Sequence, residues 1–297
     1  MKPHPSISAI VATYNRDCSL IDCLRSLMAQ DYPGRMELIV VDQSLAHTPE
    51  AADFFQSQGD RFCLLHQSQP NLPQARNAGI AAATGEILLF VDDDVILPPD
   101  AARRLAEHVR TSWMKAVTGL VVSERDREAS LQGYARQFCV ASVDEAQGLQ
   151  AVDRFIGALM MIPAKTVHAV GGFDPQLGAL TPTAYGEDDE FCCRLREAGV
   201  TLWANPSVCA LHRDHLAGGC ESRHTDAELA RQYHMKSLAY MRIKHHGGIG
   251  AGGWLDLVRG YIANREIVRN RPGQIVRNFV AVRKAVDEVR AFMAGRL

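Results

Sequence analysis

Residues 87–91 are an unbroken run of Ile, Leu, Leu, Phe and Val that begins after the breaker Thr84-Gly85 and ends in three carboxylates, Asp92-Asp93-Asp94. A run without polar alternation suits a strand buried on both faces, as in a parallel sheet. The carboxyl ends of such strands are where open α/β sheets bind ligands. Three adjacent anions there repel one another and lose hydration, so something positive must compensate them. A divalent cation carrying a phosphorylated ligand meets that need, because oxygen ligands suit magnesium and manganese. The plainer alternative is an acidic turn that caps the helix expected after Pro98-Pro99-Asp100.

The same pattern recurs before this run. Ile7–Ala12 reads as a strand ending at Thr13-Tyr14-Asn15-Arg16, and a helix over about Cys18–Gln30 follows, with Leu20, Leu24 and Leu27 on one face. Glu37–Val41 reads as a second strand, ending at Asp42-Gln43-Ser44, and Thr48-Pro49 opens another helix. Phe62–His66 is a short third strand, and Gln74–Ala83 is alanine-rich and helical. Strand and helix thus alternate four times in the first hundred residues, which predicts a parallel, doubly wound layer.

Beyond it the pattern loosens. Ala116–Ser123 predicts a strand, whereas residues 124–150 form a polar insertion with weak periodicity and no assignment. A short helix should end at Gly171-Gly172-Phe173-Asp174. Leu177–Tyr185 reads as a flexible loop, and Gly186-Glu187-Asp188-Asp189-Glu190 opens a helix that Gly199 terminates. Two short strands, Val200–Ala204 and Val208–Leu211, lead to His212. A polar loop over Arg213–Thr225 precedes a helix to about His246, and the five glycines of Gly247–Gly253 suggest a hinge. Two further helices, broken near Pro272-Gly273, complete a two-part reading: a catalytic-type α/β domain over 1–224 and a helical extension over 225–297.

Charge divides along the same line. The chain carries −2 overall, but residues 225–297 sum to +7 and residues 1–224 to −9. A basic tail on an acidic body suits an anionic partner such as a membrane surface or a phosphate-bearing acceptor, with packing or a homodimer as the plainer uses of its apolar positions. The eight cysteines include no CxxC pair, and Met1–Ser8 is too polar for a signal peptide. No apolar stretch reaches the roughly 18–20 residues of a membrane span. The expectation is a cytoplasmic protein with reduced thiols whose membrane contact, at the inner face, is peripheral.

Four strand ends therefore carry polar groups: Thr13–Arg16, Asp42, Asp92–Asp94 and His212. Asp42 suits a base or ribose contact or a turn cap, and Arg76 offers a fork to phosphate or to an aspartate. Four successive acids at 187–190 exceed what a helix N-terminus needs, so one can face the cleft as a general base. His212 has the chemistry of a metal ligand, although a lone histidine is more often structural.

Together these residues resemble the family 2 glycosyltransferases. The matching stretches are Val11–Arg16, Val40-Val41-Asp42, Ala75-Arg76-Asn77-Ala78-Gly79, Phe90–Asp94, Gly171–Asp174, Gly186–Glu190 with Arg194–Gly199, and His212. The resemblance implies a GT-A fold, Rossmann-like and mainly parallel, and an inverting transfer of one sugar from a nucleotide-diphosphate sugar, a UDP-sugar foremost, to a hydroxyl of a glycan or lipid-linked acceptor. It implies donor contacts at Thr13, Asn15, Arg16, Asp42, Arg76, Asp92 and Asp93. Asp94 and His212 would hold Mg2+ or Mn2+, and Asp188, preceded by Glu187, would be the base. Gln43-Ser44 stands where many members have a second acid after Asp42, which leaves the donor's nucleobase open. The QxxRW motif of processive synthases is absent, which favours a single transfer. A sugar nucleotidyltransferase is the rival enzyme, but Ile7–Arg16 has no glycine-rich phosphate loop. A non-catalytic nucleotide-sugar-binding protein is the rival outside catalysis, and no nucleic acid partner is expected.

Overall fold

The computed structural model describes residues 4–138, 148–178, 181–213, 227–258 and 273–295. The first hundred residues follow the alternation. Strands β1 (Ile7–Thr13), β2 (Met36–Asp42), β3 (Cys63–His66) and β4 (Ile87–Asp92) alternate with helices α1 (Asp17–Met28), α2 (Pro49–Gln58) and α3 (Leu72–Ala82). All four strands are parallel, with Thr13 beside Asp42 and Ala12 beside Asp92. Thr48 caps α2 by accepting the Ala51 N–H at 3.3 Å, as the Thr-Pro pair predicts.

The two-sided burial of β4 is visible in its partners. Ile87, Leu89 and Val91 join a core with Leu20, Leu24 and Leu27 of α1, and Leu88 and Phe90 join a second core with Ala75 and Ile80 of α3. Apolar packing on both faces is what makes an unalternated run the stable choice.

The rest of the sheet is mixed. It contains β5 (Val95–Ile96), β6 (Lys115–Ser123), β7 (Gln150–Ala151), β8 (Leu159–Pro163) and β9 (Thr201–His212), and the strand order is β3-β2-β1-β4-β8-β6-β9-β5, with β7 on β9. Strand β8 lies antiparallel between β4 and β6, whereas β6 and β9 pair in parallel. Strands β1, β2, β4, β6 and β9 therefore all point the same way. Their carboxyl ends, His212 included, share one edge.

Several expectations are corrected. The two short strands before His212 are one strand, β9, with a bulge: Gly119 pairs with Asn205 and Leu120 with Cys209. Pro206, which has no N–H to donate, falls in the skipped segment. Gly119 faces the bulge closely, since a Cβ there would lie 2.7 Å from the Val208 carbonyl oxygen. The unassigned insertion holds a helix, α5 (Arg127–Phe138), after α4 (Ala101–Val109), while residues 139–147 lie outside the described ones. Helices α6 (Ala164–Val170) and α7 (Glu187–Glu197) end as predicted at Gly171 and Gly199, whose φ angles are 91° and 80°.

The chain divides into two compact units, one of 1–174 with 187–222 and one of 175–186 with 223–297. The second contains α8 (Ala227–His246), α9 (Gly250–Leu257) and α10 (Gln274–Met293). Residues Gly250, Gly252 and Gly253 are helical, not a hinge, because Ile249 and Leu257 at either end are buried with Met235, Val282 and Val286. Packing of the flanks overrides glycine's low helix propensity. In the loop expected to be flexible, Leu177 and Thr183 are buried, and Ser237 donates to the Thr183 carbonyl at 2.8 Å. The polar loop beyond Arg213 and the break at Pro272 fall on residues outside the described ones.

Candidate active site

The strand ends place the predicted residues on two sides of β4. On the β1–β2 side, the Thr13 hydroxyl donates to Asp93 Oδ2 at 2.7 Å, and one Arg16 nitrogen bridges Asp93 Oδ1 at 3.1 Å and Asp94 Oδ2 at 2.6 Å. Burial is the main reason the Asp93 carboxyl is pushed up to about 7; Arg16 opposes the shift and Asp94 adds to it. The positive charge that the acidic triplet requires is thus in part built in, as Arg16. Asn15 turns the chain after β1 in the left-handed region, φ 55°, and its N–H donates to Ser44 Oγ at 2.8 Å. Asparagine tolerates that conformation better than most side chains.

Asp42 lies at the end of β2, 3% exposed. Its Oδ1 accepts the Ser44 N–H at 2.9 Å, and its Oδ2 lies 2.8 Å from His47 Nε2. Sequence reasoning passed over His47 and Asp17, which meet at 2.8 Å through His47 Nδ1. Gln43 is also committed: its side-chain oxygen accepts from the Asn71 N–H at 2.5 Å and from Gln67 at 3.2 Å.

On the β8 side, Arg76 is the centre. It projects from α3, is 3% exposed, and donates to Asp92 Oδ1 at 2.9 Å, Glu187 Oε1 at 3.2 Å and the Gly157 carbonyl at 3.0 Å. Its guanidinium also lies over the Phe173 ring at 5.1 Å. Phe173 packs edge-on to Phe90 of β4 and stacks at 4.3 Å on Phe191 of α7. Asn77 secures this aromatic column by donating to the Phe173 carbonyl and accepting its N–H, each at 2.8 Å. The short motifs around Arg76 and Phe173, far apart in sequence, are mated surfaces.

The four acids that open α7 separate by role. Glu187 meets Arg76. Asp188 accepts the Gly157 N–H at 2.9 Å on Oδ2 and the Asp189 N–H at 2.8 Å on Oδ1. Asp189 reaches Arg154 at 3.4 Å on the surface. Glu190, fully buried, makes an i,i+4 pair with Arg194 at 2.6 Å. Burial and the neighbouring Asp188 charge raise the Glu187 carboxyl above its ordinary range, against the pull of Arg76.

Arg76, Asp92, Ile156, Gly157, Glu187, Asp188 and His212 line one cleft of about 310 Å³, together with Ser123 and Ser130. His212 Nε2 lies 3.4 Å from Asp94 Oδ1, a buried oxygen that accepts no hydrogen bond from the described residues. Burial is the first cause that raises the Asp94 carboxyl, and Asp92 adds to it, while Arg16 and His212 oppose. No cluster of three or more metal-ligating side chains occurs among the described residues. One carboxylate oxygen fits a cation whose remaining positions are filled by phosphate oxygens and water, the usual habit of magnesium, and the imidazole beside it adds a nitrogen donor of the kind softer divalent metals prefer. Cys18, Cys23, Cys63, Cys192, Cys193 and Cys209 are free thiols.

A mixed sheet with acids converging at its carboxyl edge, on both sides of one central strand, is the arrangement of a GT-A-type fold. Comparison with known proteins agrees. Two family models match, "Glycosyl transferase family 2" over residues 8–146 and "Glycosyl transferase family group 2" over residues 87–231. The two models, which between them run over residues 8–231, and the glycosyltransferase relatives support a family 2 glycosyltransferase. An N-acetylglucosaminyltransferase of Mesorhizobium japonicum is 29% identical over 70% of this chain and 51% of its own length. The structure of S. aureus TarS 1–349 in complex with UDP-GlcNAc superposes with a TM-score of 0.63 at 16% identity, covering 96% of this chain and 83% of that one. The mannosyltransferase PcManGT from Pyrobaculum calidifontis, in complex with GDP-Man and Mn2+, gives 0.59 at 21% identity over 99% of this chain and 80% of that one. The chain spans about half the length, or less, of the curated relatives it matches.

Proposed function

We propose that this chain is an inverting, cation-dependent glycosyltransferase that moves a sugar from a nucleoside-diphosphate donor to an acceptor hydroxyl. The observation that carries this reading is the single cleft in which Arg76 bridges Asp92 of the strand end and Glu187 of the helix start, with Asp188 beside them. The donor, a UDP-sugar foremost, would run along the carboxyl edge: its nucleoside at Asp42 and the β1 turn of Thr13, Asn15 and Arg16, its diphosphate toward Asp92–Asp94. Arg16, Thr13 and Asp93 set the shape of that turn through their mutual bonds.

Asp94 and His212 would hold the cation, which supplies neutralisation of the charge that develops on the departing diphosphate. Asp188 takes the proton from the acceptor hydroxyl as that oxygen attacks the anomeric carbon from the face opposite the diphosphate. Each oxygen of Asp188 accepts one backbone N–H and keeps a lone pair for a further bond. Glu187, tied to Arg76, keeps the positive charge beside Asp92. A glycan or lipid-linked acceptor would approach past Ile156, a cleft residue that is 46% exposed.

Chelation should abolish transfer, and magnesium or manganese should restore it. Asp94→Asn should weaken nucleotide-sugar binding by about ten- to a hundredfold, the scale of a lost contact to a charged group. Full transfer in excess chelator would refute cation dependence.

We place the chain in the cytoplasm, at the inner face of the membrane through α10. Val276, Phe279 and Val280 are exposed on that helix at 72%, 46% and 61%, beside exposed Arg277, Arg283 and Lys284. No helix among the described residues is long and apolar enough to cross a membrane. Vesicles of acidic lipid should bind the protein and release it as salt rises, since each basic side chain near an anionic surface contributes about 1 kcal/mol. Equal binding to acidic and neutral vesicles, or binding to neither, would leave this helix as a packing or dimer element.

A further inference from the structure

We propose that His47 is a positioning residue of the donor pocket: clamped between Asp17 and Asp42, its imidazole fixes the Asp42 carboxylate at the angle from which it meets the nucleoside. The inference rests on the reading of Asp42 as a donor contact. It adds a residue that neither the strand-end pattern nor the family motifs single out.

The geometry is a closed chain of bonds. Asp42 Oδ2 and Asp17 Oδ1 each lie 2.8 Å from a different ring nitrogen of His47. The other oxygens are also held, Asp42 Oδ1 by the Ser44 N–H at 2.9 Å and Asp17 Oδ2 by the Thr48 N–H at 2.6 Å. Asp42 ends β2, Asp17 opens α1 and Thr48 caps α2, so the chain ties together the loops after β1 and β2. These two loops carry the residues assigned to the nucleoside side. The Phe55 ring of α2 closes the pocket edge-on, 5.0 Å from the imidazole.

A carboxylate can only accept hydrogen bonds, so two carboxylates on one imidazole require both ring nitrogens to donate. The ring is therefore the imidazolium. Burial alone would lower its pKa, but Asp17 and Asp42 outweigh burial and hold it above the ordinary value. The charged groups facing the ring are Asp17 and Asp42, and α2 presents the uncharged Phe55. With the folded pKa raised, the clamp is complete below the ordinary histidine pKa of about 6.5 and is lost as pH rises through the higher folded value. Loss of that proton sets a lone pair against a carboxylate oxygen. The cluster then changes from −1 to −2 beside an anionic ligand. Both effects weaken donor binding in the same direction.

The test uses UDP-GlcNAc and GDP-mannose, whose esterified diphosphates do not titrate near neutrality, in calorimetric titrations of the full chain from about pH 5.5 to 8.5. With Mg2+ present throughout, the wild-type protein should lose about tenfold more affinity than His47→Gln does, for whichever of the two it binds, as pH passes through the His47 pKa. His47→Gln should start about tenfold weaker at low pH and keep only the slope that Asp93 and Glu187 give both proteins. A purely structural histidine would lower the melting temperature and leave the pH slope intact. His47→Gln with the wild-type slope overturns the proposal. Nitrogen NMR of the wild-type ring gives a second readout that needs no variant, and titration at or below the ordinary histidine value also overturns it. Asp42→Asn binding at full strength would instead refute the donor reading of Asp42, while the NMR titration still reports the clamp. Failure of the wild type to bind either nucleotide sugar would refute the donor reading and this proposal with it.

Discussion

Asp188→Asn should lose about two to four orders of magnitude in turnover while its fold and donor affinity stay near wild type, the usual reach of a positioned base. The side chain is held by two backbone N–H groups, from Gly157 and Asp189, and an asparagine oxygen can keep only one of those bonds in the same pose. The fold should survive, because Asp188 is not in the buried core. Glu187→Gln is the control. It keeps a hydrogen bond to Arg76 but removes its charge, so donor binding should change more than the chemical step. Turnover of purified variants under saturating donor decides between them. Near-normal turnover in Asp188→Asn together with collapse in Glu187→Gln would transfer the role of base to Glu187, whose raised pKa would suit it.

Arg76→Met should be the most destabilising single change in the cleft. It leaves Asp92, Glu187 and Asp188 without the charge that compensates them and removes three hydrogen bonds and a ring contact. Breaking a buried pair by deleting one partner costs about 3–5 kcal/mol. The lower end is expected here, because the Asp92 side chain is 31% exposed and retains some water. Arg76→Lys should fall between, since a lysine restores the charge but not the fork that reaches Asp92 and Glu187 together. Urea unfolding at neutral and mildly acidic pH measures both variants. The deficit of Arg76→Met should shrink as pH falls and the orphaned acids take up protons. A loss under about 1 kcal/mol at neutral pH would show that they already do so without Arg76.

The parts of this molecule that can be read from its sequence are those whose cause is local. An apolar run ending in acids declares a buried strand with an acidic tip at the carboxyl edge of the sheet, and Thr-Pro declares a helix start. The need for positive charge beside Asp92–Asp94 was also legible. What supplies it inside the protein was not, because Arg16 precedes Asp93 by most of the first half of the fold, and Arg76 meets Glu187 from still further away. His47 gave no signal, since its two carboxylates come from different strand-to-helix turns. The glycines of α9 misled for a related reason: propensity is local, and the burial of Ile249 and Leu257 that overrides it is not. Strand β9 misled because a bulge and a break leave the same mark in sequence, a polar and proline-bearing gap.

The antiparallel direction of β8 settles what sort of backbone the cleft can use. A parallel strand brings only its exit to the functional edge of the sheet, and its approach lies on the far side. Strand β8 runs the other way, so its approach, Ile156-Gly157-Ala158, arrives at the edge where the acids converge. One residue, Gly157, thereby offers its N–H to Asp188 and its carbonyl to Arg76. Any side chain there would press on both, since a Cβ would stand 3.2 Å from Asp188 Oδ2 and 3.3 Å from an Arg76 nitrogen. The ladder of Leu159 with Val91 begins two residues later, so this stretch inherits the stiffness of the sheet. Asp188 and Arg76 are thus gauged against a common main-chain reference, and a shift of one would carry the other with it.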